Sequence, residues 1–446
     1  MIKENLPKGF IVSGYIFVKK SQPLEGITTL NGAKNAVLVI IASLILTKGK
    51  STLENVPNNA DVSHMIKLLE DLGAIVEFDI KHSKLTVDTT GISSYEVKPE
   101  VMNKMRASIL VMGPLLARFG YAKVALPGGC LLGARPINFH LKGFAQLGVA
   151  IAEEGPFLFA KAQNFPSNSR IIFEYPSVGA TENIMMMAAL SNGETTIINA
   201  ALEPEVLDLI DVLKKMGGNI KIKEGSVLVI TGSNKLNPIS HTIVPDRLEA
   251  GTLLLAAAAT GGSITISNAR PEHMDVFLEK LKEMGHSVLT RFDDQKIRGI
   301  SLKATRYPQA INFKTGPYPG FPTDLQAPTM AALCLADGIS TIEETVFENR
   351  MIHTTQLQKM GAQITADNTK AIIRGVDELY GCEVIASDIR ASCALVIAGL
   401  CSFGSTKITG IHHWNRGYDR LENKINKLGG SIQTKAIEQE SLQPTL

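Results

Sequence analysis

The sequence predicts a mixed α/β protein assembled from six copies of one supersecondary unit. Two series of glycines and one set of apolar helices carry that expectation. In the first series an amphipathic stretch ends at Leu or Met, a glycine follows, and an extended segment comes next. The copies read LLEDLGAIVEF, GFAQLGVAIAE, LKKMGGNIKIK, LKEMGHSVLTR, LQKMGAQITAD and INKLGGSIQTK, and Gly73, Gly148, Gly217, Gly285, Gly361 and Gly429 lie about 70 residues apart. The second series, Gly49, Gly120, Gly193, Gly262, Gly338 and Gly404, keeps the same period, and each opens a β-branched run such as GETTIINA. A glycine at these helix ends can take the left-handed C-cap conformation without Cβ strain. Segments such as NIMMMAALS and AGTLLLAAAATGG are apolar almost all round, as expected of helices buried on every side. Each unit therefore holds two helices and several strands, and six units divide into two clusters of three.

Along the chain, residues 1–20 read as an extension with weak strand character, and the repeat proper starts near Leu24. Ala36 to Leu46 is the longest apolar run, too short to span a bilayer, and reads as a buried core helix. Met65, Leu68, Leu69 and Leu72 form one helical stripe. IVEFDIKHSKLTVD reads as a hairpin turning at His82-Ser83. NIKIKEGSVLVITG reads as another, with Ile220 and Ile222 alternating before a turn at Glu224-Gly225 and Val227 and Val229 after it. The seam between the two clusters is placed at KLNPISHTIVPDR, where two prolines and polar residues interrupt the pattern.

Composition excludes several classes. The 446 residues carry a net charge of +2, so no uniform basic field calls for nucleic acid, and a single Trp offers little stacking surface. The five cysteines are odd in number and none has CxxC spacing, which argues against a disulfide framework or a zinc ribbon and fits a reducing cytoplasm. The N-terminal stretch lacks the apolar core and cleavage site of a signal peptide. Neither a metal nor an organic cofactor is called for. Gly49-Lys50-Ser51 lacks the leading glycine of a P-loop and follows a helix, no GxGxxG is present, and His412-His413 has no neighbour at ligand spacing.

Four groups of residues could carry chemistry. Asn31-Gly32-Ala33-Lys34-Asn35-Ala36 enters the first buried helix, where a Lys beside free N–H groups can hold phosphate or carboxylate; the plainer reading is a solvated Lys on a capping turn, although the apolar helix that follows makes burial of Lys34 and Asn35 expected. Pro127-Gly128-Gly129-Cys130-Leu131-Leu132-Gly133-Ala134-Arg135-Pro136 reads as a loop carrying a thiol near a cation, either a lid with an acid or nucleophile or a small thiol in a structural turn. Arg106, Arg247, Arg390 and Arg416 recur at unit boundaries; each taken singly reads more simply as a surface ion pair than as a ligand, and together they point to a cleft for a polyanion. Asp324 precedes a buried helix and is either an N-cap or, if buried, a base.

Taken in order, NGAKNA (31–36), KMRAS (104–108), LPGGCLLGARP (126–136), SVGAT (177–181), PDRLEAGT (245–252), FPTDLQ (321–326), TVFENR (345–350), DIRAS (388–392) and RGYDR (416–420) resemble the UDP-N-acetylglucosamine 1-carboxyvinyltransferase family of enolpyruvyl transferases, from about Leu24 to Gly430. The resemblance implies an α/β, two-domain inside-out barrel of six βαβαββ repeats, three per domain. One domain would span 34–244, and the other 1–33 plus 245–446. It implies phosphoenolpyruvate and UDP-N-acetylglucosamine as substrates, no cofactor, a cytoplasmic location, a place in peptidoglycan synthesis, and a thiol open to the epoxide fosfomycin. By position, Lys34, Arg135 and Arg416 would grip phosphoenolpyruvate. Asn35, Arg106, Asp324 and the Val346 backbone would meet the amino sugar and diphosphate. Arg135, Pro136, Ile137, Asn138 and Phe139 would contact uracil, and Tyr175, Pro176, Ser177 and Val178 would line the nucleotide. Cys130 would be the general acid and Asp324 the base, while Asp388 and Arg390 would support closure and Arg247 would join the substrate-binding set.

Asn138 stands where the family usually has Asp, Tyr175 where it often has Lys, and Leu202 and Asn415 where charged residues are common. These differences leave room for a related transferase with another nucleotide acceptor. A reading of another class is a non-catalytic pseudo-six-fold ring such as a DNA clamp, which would want basic residues on an inner face and no loop cysteine.

Overall fold

The computed structural model describes residues 14–98, 106–125, 137–163, 168–291 and 298–436. The chain packs as two compact units: Asn31–Asp246 with Pro317–Pro319, and Met1–Leu30 with Arg247–Gly316 and Gly320–Leu446. Each has its own apolar core. Each also holds three of the six sheets found among the described residues.

Three helices form the middle of each core. In the Asn31–Asp246 unit they are Lys34–Ser43, the 3-10 turn Arg106–Val111 continuing into Met112–Phe119, and Val178–Ala188. In the other unit they are Arg247–Ala259, Gln326–Leu333 and Ile389–Cys401, which pack against one another. The segments read as apolar all round are buried as expected: Ala180 to Ala188 and Leu248 to Ala258 face protein on every side. Amphipathic helices cover these cores. Ala60–Leu72 buries Met65, Leu68, Leu69 and Leu72, and Asn59 caps its start by accepting from the Val62 N–H at 2.9 Å.

Gly73, Gly148, Gly217, Gly285, Gly361 and Gly429 all have left-handed φ, between 80° and 109°, and so terminate one amphipathic helix in each unit. The second series is less uniform. Gly49, Gly120, Gly338 and Gly404 adopt positive φ, whereas Gly193 and Gly262 do not. At the fourth unit the left-handed residue is Gly261; Gly262 is required for closeness, since a Cβ there would lie 2.2 Å from the Leu24 carbonyl oxygen.

Five sheets repeat one order: an edge strand parallel to the next, then two antiparallel strands. The first is Ser240–Thr242, Lys50–Glu54, Lys84–Asp88 and Ile75–Asp79. In the sheet of the last repeat the third position is filled by Gly14–Lys19, between Ser405–Thr409 and Ile432–Ala436. Ile16 and Val18 there are 0% exposed. The weak strand expected within residues 1–20 is thus a buried inner strand at Gly14–Lys19, and residues 1–13 lie outside the described residues. The strand between the two arms of the last repeat's sheet thus comes from Gly14–Lys19, nearly 400 residues earlier in the chain.

Both expected hairpins form. Ile75–Asp79 pairs with Lys84–Asp88, and Asn219–Lys223 pairs with Val227–Thr231. In the second, the alternation Val227 and Val229 is corrected. The register sets Ile220 opposite Ile230 and Ile222 opposite Leu228, so Leu228 and Ile230, each 0% exposed, share the inner face. Val229 instead lies opposite Lys221. Ile222, near the turn, stays 45% exposed.

Candidate active site

Six of the residues singled out for chemistry stand at the N-terminal ends of the central helices, three in each unit. Lys34 and Arg247 are the first residues of theirs, Arg390 is the second, and Arg106 opens its 3-10 turn. Ser177 is the N-cap of Val178–Ala188, and Asp324 lies in the short turn Thr323–Leu325 that leads into Gln326–Leu333. A helix N-terminus presents unpaired N–H groups and the positive end of the macrodipole, which favours anions. Arg416 differs from the other arginines, since it lies in the last turn of Ile411–Gly417.

In the second unit, Asp324 is the centre of a polar cluster. Arg350 Nη2 donates to Oδ1 at 2.5 Å, and Arg390 Nη2 stands 3.4 Å from Oδ2. Burial alone would raise the Asp324 carboxyl, but the charges of Arg390 and Arg350 and their hydrogen bonds outweigh it, holding the group well below the usual carboxylate range. Asp324 caps no helix, so the N-cap expectation fails: its oxygens face the two guanidinium groups instead. The side chain remains 29% exposed, enough for a ligand to reach it.

Arg390 is fixed from behind. Its Nη1 donates to the Tyr418 hydroxyl at 2.7 Å. Burial pushes the Tyr418 phenol well above its ordinary value, so it is a neutral acceptor. Asp388 caps the helix of Arg390, with Oδ1 accepting from the Arg390 and Ala391 N–H groups at 2.7 and 3.0 Å and Oδ2 from Ser387 Oγ at 3.1 Å. Burial raises Asp388, yet those N–H groups and the charges of Arg350 and His353 leave it below its ordinary value. Both oxygens thus already have protein partners, and the residue shapes the helix end.

Val346 is held by Glu344, which is 2% exposed. Glu344 Oε1 accepts from the Val346 N–H at 2.8 Å and the Phe347 N–H at 3.2 Å, and its carboxylate also accepts from Thr315 and Thr323. The main-chain group that Val346 can offer a ligand is therefore its carbonyl. Arg350 and Glu344 were not singled out from sequence. Arg350 is the last residue of the TVFENR motif, and at 3% exposure it is the most buried cation of this cluster.

In the first unit, Lys34 is neither solvated nor alone. Its Nζ lies 2.7 Å from Asp61 Oδ2, with the two side chains 12% and 2% exposed. Its main-chain N–H donates to Asp246 Oδ2 at 3.3 Å. Gly32 permits this turn, because a Cβ there would lie 2.0 Å from the Asn55 carbonyl oxygen. Asn35, expected to be buried, is exposed: it falls on the outer side of the first helical turn. Asn183, in the middle of Val178–Ala188, ties that helix to the junction of Arg106–Val111 with Met112–Phe119, donating to the Ile109 carbonyl at 2.9 Å and accepting from the Gly113 N–H at 2.7 Å. Asn138 opens the helix Asn138–Gln146 and is exposed, with Ile137 and Phe139 half-buried and Phe139 edge-on to Phe173 at 6.1 Å. Tyr175 is 37% exposed and Pro176, Ser177 and Val178 are half-buried. Cys130, Arg135, Pro136 and the side chain of Arg106 lie outside the described residues.

Among the described residues no group of acidic, His or Cys side chains could hold a metal ion, and no helix is long and apolar enough to cross a membrane.

The profile of the EPSP synthase (3-phosphoshikimate 1-carboxyvinyltransferase) family matches residues 18–425. The chain is 46% identical over 418 residues to a UDP-N-acetylglucosamine 1-carboxyvinyltransferase of Geobacter metallireducens, covering 94% of this chain and 98% of that protein. It is also 46% identical to UDP-N-acetylglucosamine 1-carboxyvinyltransferase 1 of Caldanaerobacter subterraneus subsp. tengcongensis, covering 94% and 99%. In fold it is similar to the enolpyruvyl transferase NikO from Streptomyces tendae, with a TM-score of 0.85 at 22% identity over 95% of this chain and 99% of that one. EPSP synthase from Acinetobacter baumannii gives a TM-score of 0.73 at 18% identity over 94% and 100%. The chain therefore belongs to the EPSP synthase family of carboxyvinyltransferases, within its UDP-N-acetylglucosamine 1-carboxyvinyltransferase members.

Proposed function

We propose that this chain transfers the enolpyruvyl group of phosphoenolpyruvate to the 3-hydroxyl of UDP-N-acetylglucosamine with release of phosphate, a cytoplasmic step of peptidoglycan synthesis. The observation that carries the reading is the 46% identity to enzymes of that name over 94% of this chain. The two units are read as an inside-out barrel pair, with three βαβαββ repeats in 34–244 and three in 1–33 plus 245–446.

The chemistry follows from the residue types. Phosphoenolpyruvate brings a phosphate and a carboxylate, and Lys34, Arg135 and Arg416 hold them. Cys130 gives its proton to the methylene carbon. The π pair leaves C2, which accepts the 3-oxygen of the sugar as Asp324 takes the hydroxyl proton. The tetrahedral ketal then returns a methyl proton to the Cys130 thiolate, the double bond re-forms as the C–O bond to phosphate breaks, and phosphate leaves with the proton that Asp324 took. Asn35, Arg106, Arg247, Arg390 and the Val346 carbonyl orient the acceptor and its diphosphate, and Asp388, which caps the helix of Arg390, supports closure. The uracil side is given to Ile137, Asn138 and Phe139, beside Arg135 and Pro136, and the nucleotide to Tyr175, Pro176, Ser177 and Val178.

The test is phosphate release from phosphoenolpyruvate with UDP-N-acetylglucosamine, compared with other nucleotide sugars and shikimate 3-phosphate. Release with UDP-N-acetylglucosamine alone is expected. Release only with another acceptor would show that Asn138 and Tyr175 had changed the specificity, and no release with any acceptor would make the chain a binding protein.

A further inference from the structure

Tyr418 is assigned no contact with substrate, yet it bonds directly to Arg390 and its own hydrogen bonding is complete. A phenol has one proton to give and two lone pairs to receive with. Thr252 spends its own proton on the Leu248 carbonyl, at 2.8 Å, so the 3.3 Å contact between Thr252 Oγ1 and the Tyr418 hydroxyl must be donated by the tyrosine. The hydroxyl in turn accepts from Arg390 Nη1 and from Cys393 Sγ, both at 2.7 Å. The Arg390 guanidinium also lies 5.7 Å from the centre of the Tyr418 ring. Tyr418 is 5% exposed and Arg390 7%, so neither has water as an easy substitute.

This fixes where Arg390 can stand. With Nη1 committed to the phenol, Nη2 reaches Asp324 Oδ2 only at 3.4 Å, while Arg350 holds Oδ1 at 2.5 Å. A charge-assisted bond unconstrained by the phenol would close to roughly 2.8 Å.

We propose that Tyr418 is a positioning residue: its hydroxyl holds Arg390 back, so that Oδ2 of Asp324 stays loosely bound and free to take a proton from the acceptor hydroxyl. The proposal rests on the assignment of Asp324 as base. The charged and titratable groups facing Asp324 are Arg350 from the loop after Ile339–Glu343 and Arg390 from Ile389–Cys401, with Glu344, joined to it through Thr323, and His353 and Asp388 beside Arg350. Glu344, His353 and Asp388 stay in place when the phenol is altered.

The test compares Tyr418→Phe with wild type in crystals and in pH–rate profiles. Without the hydroxyl, the freed Nη1 leaves Arg390 to close on Oδ2. The Nη2–Oδ2 distance should shorten, kcat should fall about tenfold, and the acid limb of kcat should move about one unit lower, because a carboxylate nearer a cation is a weaker base. Thr252→Val, which removes only the acceptor of the phenol proton, should shift the limb in the same direction by less; it serves if Tyr418→Phe does not fold. Trp414→Phe loosens packing on the same ring, whose centre lies 5.3 Å away, and should leave the acid limb where it is. An unmoved Arg390 together with an unmoved acid limb in both Tyr418→Phe and Thr252→Val would overturn the proposal. An inactive wild type would overturn the assignment of function instead, and the crystal distance alone would then decide whether Tyr418 positions Arg390.

Discussion

Arg350 holds Asp324 by a close charged contact, Nη2 to Oδ1 at 2.5 Å, and also donates from Nη1 to Thr323 Oγ1 at 2.9 Å. The carboxylate is thereby anchored on one side and approachable on the other.

Arg350→Ala should remove the nearer of the two cations from Asp324. The folded carboxyl is depressed, so its stabilising effect is complete above the unfolded value near pH 4 and is lost as pH falls towards the folded one. The variant should lose about 3 kcal/mol at pH 7 in urea unfolding, and less at pH 3. The acid limb of its kcat profile should move to higher pH. Equal unfolding midpoints for variant and wild type at pH 7 would show that the pair is not formed in solution.

Asp61→Asn should free the Lys34 ammonium from its partner at 2.7 Å. Steady-state kinetics should then show a rise of about tenfold in KM for phosphoenolpyruvate with a smaller change in KM for the nucleotide sugar, because the cation no longer waits in one place. Equal changes in both constants would assign Lys34 to structure.

Cys130→Ala should lose turnover by at least about a hundredfold while calorimetry still shows nucleotide-sugar binding, as expected when a general acid is removed. Incubation of the wild type with fosfomycin should add one epoxide mass at Cys130. Full activity after that incubation would mean the thiol is not presented to the anion site.

His286 is buried with Nδ1 accepting from the Thr305 N–H at 3.2 Å, and burial pushes it down to about 4; His353 is pushed down to about 4 as well, chiefly by burial. Both take up protons near pH 6.5 when unfolded. Stability should therefore be full above about pH 6.5 and fall as pH drops towards 4. Melting curves at pH 7 and 4.5 should show the decline, and His286→Gln should lessen it. A flat melting temperature across that range would mean these rings are protonated in the fold.

Ile16→Ala should cost about 3 kcal/mol, the usual cost of emptying a fully buried site. Because Gly14–Lys19 is an inner strand of its sheet, deletion of residues 1–20 should leave the Arg247–Gly316 and Gly320–Leu446 segments unable to fold cooperatively. Two-domain unfolding traces identical to wild type would refute this.

Much of the fold could be read from local pattern. The six left-handed glycines, the apolar helices and the hairpin positions depend on residues near one another in the chain, and period alone exposes them. The inner face of Val227–Thr231 is not legible locally, because its four successive apolar residues fit either face until pairing with Asn219–Lys223 sets the register. At the site, Lys34, Asp324 and Arg390 stood out as polar residues entering apolar helices. Arg350 did not, because its segment TVFENR enters no buried helix and its partner is 26 residues earlier.

The sequence by itself determined that this protein has six similar units, where each amphipathic helix stops, and which polar residues stand at the heads of its central helices, since all of these are set by short-range periodicity and backbone freedom. Only the tertiary structure decided that Gly14–Lys19 completes the last sheet, that Asp324 faces Arg350 and Arg390 instead of capping a helix, and that Lys34 is paired. Those outcomes join residues far apart in the chain, and packing selects such partners by distance in space.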